Sequence, residues 1–383
     1  MNEFQRQFEE VRDLLRFEDY GLVVKRVIDF TLDTGSLTFY KKTNELLDLM
    51  DSDIEKEALK ARLSALLDEL YAFLSVKEVP MPEKILEAIH ITKQYSSASF
   101  ALGPVNIDLY AGDIVGLVGE NGNGKTTLLR VLCGELYATS GKVNYSFAYN
   151  DLYDLRTQLV YIPQRTDTWR GSMYENLVFT ASMYGYGPDE NELVVNLIIA
   201  RLGLRKFRKH SWKHLSSGYK MRFELARMLL RKPKVLLIDE PLANLDILAQ
   251  QTVLEDFRAI AKSVFRPVGI ILSSQQLYEV EKTSDQVIFL KQGVQKNLRG
   301  DQAGQQEEMH FVVEFESEWT QSRLNDIFVP KGLVSLRFNG GTYVATFNES
   351  TTIHDFMNIA VANEMPLTYF RNISNSTRRF FVS

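Results

Sequence analysis

A glycine-rich segment, residues 119–127, reads GENGNGKTT and constrains the fold of this chain more than any other feature. An apolar run at residues 114–118 precedes it, and apolar residues at helical spacing follow it. The pattern G-x-x-x-x-G-K-[ST] requires this order of strand, loop and helix, because backbone N–H groups and a helix N-terminus then surround a polyphosphate. The segment therefore predicts a phosphate loop within an α/β domain.

The residue types of this loop suit a nucleoside triphosphate with Mg²⁺. Gly122 and Gly124 give the backbone the freedom to approach phosphates closely. Lys125 is predicted to place its ammonium on the β and γ phosphates, and Thr126 to offer its hydroxyl to Mg²⁺. The further nucleotide contacts that we predict in the loop are Asn121, Asn123 and Thr127. The alternative, a glycine-rich turn with a surface lysine, is disfavoured by a second motif downstream.

That second motif is an apolar strand followed by two carboxylates. Residues 235–238 read VLLI, the unbroken apolar run expected of a parallel strand that is covered on both faces. Asp239 is predicted to bind Mg²⁺ through water, and Glu240 to activate the attacking water. The alternative is a solvated strand end, which is the weaker interpretation because both motifs suit one phosphate site. Together they predict ATP binding and hydrolysis.

Length and composition narrow the class of protein. With 383 residues the chain exceeds the usual size of a single core, so we expect more than one domain. No apolar run approaches the roughly 18 residues of a membrane span, and the charged start disfavours a secretory signal peptide. The single cysteine, Cys133, fits a reducing cytoplasm and a buried packing role. The net charge of −5 gives no footprint for nucleic acid, and we interpret the basic run at 206–214 as a solvated surface.

The apolar periodicity divides the chain into three parts. Residues 1–78 have helical spacing throughout and predict an N-terminal helical bundle, which a proline-containing linker follows. Residues 85–300 alternate strands and helices and predict a P-loop NTPase core, with a helical subdomain inserted at 165–215. After a polar stretch at 300–308, residues 308–383 follow a β-α-β-β-α-β order, which predicts a C-terminal α+β domain of ferredoxin-like type.

Over residues 85–293 these motifs resemble the nucleotide-binding subunit of ATP-binding cassette (ABC) proteins. LSSGY at 215–219 resembles the family signature LSGGQ, which implies that Ser216 and Gly218 contact the γ-phosphate held by a second subunit. Gln164 resembles the glutamine that senses Mg²⁺ and nucleotide, so the resemblance assigns it to the metal site and to catalysis. Asp246 resembles the D-loop aspartate, and Tyr95 resembles the aromatic residue that stacks on adenine.

Three features depart from the family pattern. Gln275 and Gln276 stand where the family has a switch histidine. Gln275 can donate a hydrogen bond to a phosphate or to Glu240 but cannot take up a proton, so we expect slower hydrolysis. The signature has Ser217 and Tyr219 in place of Gly and Gln. The N-terminal helices have no counterpart in a minimal cassette, and we expect them to regulate or to dock.

The resemblance implies a function and partners. We expect an ATPase subunit that dimerises with ATP between two identical copies and powers an integral-membrane transporter subunit, with export as the expected direction. The chain is then cytoplasmic and peripheral on the inner face of the cell membrane. The alternative is a soluble ATP-gated clamp that acts on a cytoplasmic partner, for which slow turnover at Gln275 is an argument. A P-loop kinase is disfavoured, since the signature and the D-loop have no role there.

Overall fold

The computed structural model describes residues 3–52, 55–95, 101–275, 277–296, 311–339 and 341–374. Gln276 and the polar stretch at 300–308 lie outside these ranges. Within the described ranges, no helix combines the length and the apolar character needed to cross a membrane.

The described part of residues 3–74 is helical. It forms α1 (Glu3–Arg16), α2 (Tyr20–Thr34), α3 (Leu37–Met50) and α4 (Lys56–Leu74). Phe4 and Phe8 lie four residues apart on one face of α1, and they are buried in the same core as Leu67 of α4. The Asp19 carboxylate accepts a hydrogen bond from the Leu22 amide and begins α2.

The middle of the chain alternates strands and helices. In chain order it forms β1 (Lys84–Gln94), β2 (Ala101–Tyr110), β3 (Ile114–Val118), α5 (Lys125–Leu132), β4 (Ser140–Tyr145), α6 (Leu152–Gln158), β5 (Leu159–Ile162), α7 (Met173–Met183), α8 (Pro188–Arg201), α9 (Ser217–Leu229), β6 (Val235–Ile238), α10 (Ile247–Ala261), β7 (Gly269–Ser274), α11 (Leu277–Thr283), β8 (Gln286–Lys291) and β9 (Val294–Lys296). The inserted segment predicted to be helical at 165–215 contains α7, α8 and two short 3₁₀ turns.

The main sheet of the described residues has the strand order β5-β6-β7-β3-β8-β9. Its strands pair in parallel except for the last pair, β8 with β9. Strands β3, β6 and β7 are buried along their whole length, because helices cover both faces of the sheet. Parallel pairing brings the carboxyl ends of β5, β6, β7 and β3 to one edge of the sheet.

A separate antiparallel sheet with the order β2-β1-β4 lies beside this main sheet. The sequence analysis predicted a P-loop core over residues 85–300 but not this second sheet, which β1, β2 and β4 form. It had not predicted β1 and β4. Register shifts along β1 interrupt the simple alternation that would have marked it as a strand.

The N-terminal helices pack against the inserted helices. Helices α2 and α3 contact α8. Arg201 near the end of α8 donates from Nε to Asp29 of α2 at 2.7 Å. Asn44 of α3 donates from its side-chain amide to the Leu193 carbonyl of α8 at 3.2 Å. These contacts join the first part of the chain to the nucleotide-binding part.

The described residues after 310 follow the order β10 (Phe311–Glu316), α12 (Gln321–Phe328), β11 (Leu333–Asn339), β12 (Thr342–Phe347), α13 (Ile353–Ala362) and β13 (Tyr369–Asn372). Their sheet has the order β11-β12-β10-β13 and is antiparallel throughout. Phe315, Phe328 and Phe356 fill the space between this sheet and its helices.

Candidate functional site

The candidate site lies at the edge of the main sheet where several parallel strands end. The loop after β3 carries the phosphate-loop residues, and β6 is followed by Asp239 and Glu240. Gln275 follows β7, and Gln164 comes two residues after the end of β5. Because β3, β5, β6 and β7 are neighbours in the order β5-β6-β7-β3, the predicted residues converge from distant parts of the chain.

The backbone of the phosphate loop uses conformations that glycine adopts readily. Gly122 has φ = 83° and Gly124 has φ = 94°, both in the left-handed region. A Cβ added at Gly122 would meet no atom within 4 Å. The requirement for glycine there therefore comes from the backbone angle and not from a lack of space. At Gly119 an added Cβ would lie 2.4 Å from the Leu290 carbonyl oxygen, which leaves no room for a side chain. The loop then passes directly into α5, whose N-terminus opens onto it.

The Lys125 side chain folds back over the loop that precedes it. Its ammonium donates to the Gly119 carbonyl at 2.6 Å and to the Glu120 carbonyl at 3.2 Å. The same nitrogen lies 3.1 Å from Glu240 Oε1, and the two side chains are only 6% and 10% exposed. Lys125 is therefore held at the centre of the loop and faces the proposed base.

Asp239 receives hydrogen bonds from the two sides of the site. Thr126 Oγ1 donates to Asp239 Oδ2 at 2.7 Å, and Ser273 Oγ donates to Oδ1 at 2.6 Å. The Tyr161 hydroxyl lies 3.4 Å from Oδ2. The pairing of the Thr126 hydroxyl with the carboxylate places two oxygen ligands of the kind that Mg²⁺ prefers beside the phosphate loop. The residues present therefore fit a magnesium site.

Glu240 stands in an unusual backbone conformation. Its φ is 48°, in the left-handed region that a non-glycine residue adopts only at a cost of about 1–3 kcal/mol. The Ser273 hydroxyl accepts from the Glu240 amide at 2.9 Å and so helps to hold this conformation. Oε2 accepts from the Gln275 backbone amide at 3.3 Å. Oε1 is buried without a hydrogen bond from any described residue and faces Lys125.

Two features here differ from or extend the sequence prediction. The contact between Gln275 and Glu240 is made by the backbone amide of Gln275, whereas the sequence analysis had considered its side chain. Ser273 was missed, although it bonds both Asp239 and the Glu240 backbone. The two serines that end the apolar run of β7 were its only signal in the sequence.

The signature and the D-loop lie against each other. Ser217 Oγ donates to the Asn244 carbonyl at 2.8 Å, and Asp246 begins α10 by accepting from the Ala249 amide at 2.9 Å. A Cβ added at Gly218 would lie 3.4 Å from the Ala249 Cβ. Ser216 is the N-cap of α9. In the described part of the chain, neither Ser216 nor Asp246 hydrogen-bonds a residue of the phosphate loop.

The remaining predicted contacts lie around this centre. Gln164 and Asn121 are exposed, and Thr127 is half-buried on α5. Asn123 Oδ1 accepts from the Gln292 amide at 3.0 Å, which fixes the loop to the turn between β8 and β9. Tyr95 directly follows β1 and is 38% exposed, with the Lys93 ammonium 5.4 Å from its ring centre.

Comparisons with known proteins agree with this arrangement. Residues 102–243 match the model of the ABC transporter family. The chain is 31% identical over 220 residues to YdbJ, an ABC transporter ATP-binding protein of Bacillus subtilis (strain 168). The aligned region covers 56% of this chain and 68% of that protein. It is 30% identical over 269 residues to the spermidine/putrescine import ATP-binding protein PotA of Spiroplasma citri, covering 67% of this chain and 73% of that one.

A solved structure shows the same likeness. The cbiO1 protein of Clostridium perfringens, part of the ABC transporter complex cbiONQ, matches with a TM-score of 0.52 and 26% sequence identity. The match covers 56% of this chain and 88% of that one. The resemblance inferred from the motifs is confirmed: this chain belongs to the ATP-binding proteins of ABC transporters.

Proposed function

We propose that this chain binds and hydrolyses ATP to power a membrane transporter. The observation that carries the proposal is the convergence of Lys125, Thr126, Asp239 and Glu240 at one sheet edge, with contacts of 2.7 and 3.1 Å between them. A lysine and a threonine from a phosphate loop beside two adjacent carboxylates supply cation, metal ligand and base for phosphoryl transfer to water. The family to which the chain belongs supports the same conclusion.

Each side chain has a defined task. Lys125 binds the β and γ phosphates, and in doing so it exchanges its contact with Glu240 for phosphate oxygens. Glu240 is then available to accept a proton from the attacking water. Thr126 and Asp239 would hold Mg²⁺, with Gln164 beside them, and the ion would neutralise charge on the phosphate oxygens. Ser273 keeps both carboxylates in place.

Slow turnover is part of the proposal. The Gln275 amide already binds Glu240 Oε2, and its side chain has no group that exchanges a proton near neutral pH. Positioning of the base therefore depends on backbone contacts and not on an imidazole. We expect hydrolysis to proceed, with a low rate in the isolated subunit.

Dimerisation is proposed from the signature. Ser216, Gly218 and Asp246 lie at the N-termini of α9 and α10. A helix N-terminus suits a phosphate, and within the described residues these groups make no hydrogen bond to the chain's own phosphate loop. Two copies related by a two-fold axis would each complete the other's site.

An exposed apolar surface supports a membrane partner. Tyr153 on α6 is 80% exposed, and Phe179 and Met183 on α7 are each 67% exposed. Arg231 joins the two helices, because its guanidinium donates to the Arg156 carbonyl and lies 5.2 Å from the Tyr184 ring centre. A cluster of exposed apolar side chains usually marks an interaction site. We place the transporter subunit here, which would bring the chain to the inner face of the membrane.

The direction of transport was predicted from the sequence as export. Two relatives have names that give import or uptake as the direction, one for spermidine/putrescine and one for tungstate. Export therefore stays a prediction that transport into inverted or right-side-out vesicles can decide.

The accessory parts are proposed as regulatory or docking elements. They are the N-terminal helical bundle and the C-terminal sheet, whose order β11-β12-β10-β13 favours the ferredoxin-like type.

The partner is tested by fractionation of cells that produce the tagged chain. We expect the wild type in the membrane fraction and Tyr153→Asp in the soluble fraction. Val361→Asp is the matched control, because Val361 is 74% exposed and belongs to α13, not to α6 or α7. If the wild type is soluble and its ATPase activity responds to a soluble partner, the clamp is the correct function instead.

A further inference from the structure

A cavity of about 1170 Å³ lies where three parts of the chain meet, and no residue of the phosphate loop lines it. Helices α2 and α3 and the linker at 77–83 form one side. Tyr186 and α8 of the inserted helices form a second side, and the end of α10 with the segment after it, residues 259–268, forms a third. The volume is slightly larger than that of most small-molecule pockets, so a small ligand fits. Its walls combine apolar side chains with charged groups of both signs.

In the described part of the chain, five cations line this cavity, and Arg266 is the one that presents a guanidinium fork beside Asp33; the others are Lys77, Arg201, Lys232 and Lys234. Its Nε donates to Asp33 Oδ1 at 2.6 Å, and Asp33 also receives a hydrogen bond from Ser263. The Arg266 side chain remains 49% exposed although it lines the cavity. Among the described residues, none accepts a hydrogen bond from its two terminal nitrogens. The end of the guanidinium fork is therefore open to a planar anion.

Two phenol hydroxyls accompany this guanidinium. Tyr40 comes from α3 and Tyr186 from the turn before α8, and both rings are buried while lining the cavity. No described residue hydrogen-bonds either hydroxyl, although a buried tyrosine normally finds a partner. Burial raises the pKa of both phenols, while Arg266 acts in the opposite direction. Both hydroxyls therefore stay protonated at neutral pH and can donate.

We propose that this cavity binds a small organic carboxylate with an apolar body. The carboxylate would take the terminal nitrogens of Arg266 and the hydroxyls of Tyr40 and Tyr186, and the body would lie along the apolar wall. A monoanion is favoured over a phosphate dianion, because carboxylates already match the five cations that line the cavity. These carboxylates are Asp29, Asp33, Glu78, Glu83 and Glu190.

A ligand in this cavity would contact three parts of the chain at once. Tyr40 belongs to the N-terminal helices, Tyr186 to the inserted helices, and Arg266 to the segment after α10. A ligand that bonds all three holds these parts together and stabilises their docking in proportion to its occupancy. The site therefore couples a small metabolite to the junction between the N-terminal helices and the nucleotide-binding part.

The test is calorimetric titration of the full chain with sodium benzoate and sodium hexanoate, up to about 10 mM, where even a weak cavity ligand saturates. At least one carboxylate should bind saturably, and the neutral amide of the same body should bind at least about tenfold more weakly. The double variant Tyr40→Phe, Tyr186→Phe keeps both rings and should lose about tenfold or more in affinity. Tyr71→Phe is the matched control, because Tyr71 packs against the N-terminal core and does not line the cavity, and it should bind as the wild type does.

Four results overturn the proposal. The first is that neither carboxylate binds saturably, and the second is that the neutral amide binds as tightly as its carboxylate. The third is that the double variant binds as tightly as the wild type, and the fourth is that inorganic phosphate binds as tightly as the carboxylates. Lys125→Ala should leave carboxylate binding unchanged, so the outcome does not depend on the proposed ATPase site.

Discussion

Replacing Glu240 by glutamine separates binding from hydrolysis at the proposed site. Glutamine keeps the volume of the side chain and an oxygen that accepts from the Gln275 amide, now at 3.3 Å from Oε2. It removes the group that can take a proton from water. Loss of a general base typically costs about 10²–10⁴ in rate, and we expect a fall of this size in ATP turnover.

Bound MgATP should stabilise Glu240→Gln against unfolding more than it stabilises the wild type. The Lys125 ammonium lies 3.1 Å from Glu240 Oε1 in a pair that is almost completely buried. Breaking such a pair leaves an uncompensated charge, which costs up to about 3–5 kcal/mol of stability when nothing replaces the partner. MgATP supplies phosphate oxygens to Lys125, so it should raise the melting temperature of Glu240→Gln more than that of the wild type.

The assays are steady-state phosphate release and thermal unfolding with and without MgATP. Glu135→Gln is the matched control, because Glu135 pairs with Arg130 at 3.1 Å on the surface and should change neither quantity. Turnover of Glu240→Gln within about tenfold of the wild type would refute the assignment of the base, since a lost base costs more than that.

Further predictions concern the neighbouring glutamine, a buried ion pair and the cysteine. Gln275→His should raise phosphate release severalfold, because an imidazole could position Glu240 and the water; a flat or lower rate means that the site is built around glutamine. Arg201→Met should lower the free energy of unfolding in urea by about 1.5–3 kcal/mol, because it removes the nearest cation, at 2.9 Å, from Asp256, which is 1% exposed and keeps only the longer contacts with Arg222 and Lys25. Arg205→Met is its control and should cost less than about 1 kcal/mol, since its partners Asp48 and Asp51 are exposed; equal losses would contradict the account. Burial raises the pKa of the Cys133 thiol to about 11, which leaves about one thiolate in a thousand at pH 8 against about one in four for an exposed thiol. Native protein should therefore react with iodoacetamide at least about 100-fold more slowly than unfolded protein by mass spectrometry, and equal rates would contradict the burial.

The phosphate loop and the carboxylate strand could be predicted from sequence because their requirements are local. Positive φ at Gly122 and Gly124 calls for glycine, and a buried parallel strand before Asp239 calls for an unbroken apolar run. The same local rules predicted the helical spacing of the first 74 residues. Such features need no knowledge of what lies opposite in space.

The features that were missed depend on residues far apart in the chain. Ser273 bonds Asp239 across 34 positions, and Arg201 pairs with Asp29 across 172. No local pattern distinguishes such a serine or arginine from a surface residue. The antiparallel pairing of β1 with β4 was missed for the same reason, since the register of two strands is set by the core that they share.

The central claim is that ATP binds at the phosphate loop through Lys125, and calorimetric titration of Lys125→Ala with MgATP tests it most directly. We expect at least about tenfold weaker binding, or about 1.4 kcal/mol, because a buried charge contact with phosphate is removed. Lys41→Ala, on an exposed face of α3, should bind as the wild type does. An unchanged MgATP affinity in Lys125→Ala would show that ATP does not bind at the phosphate loop through Lys125.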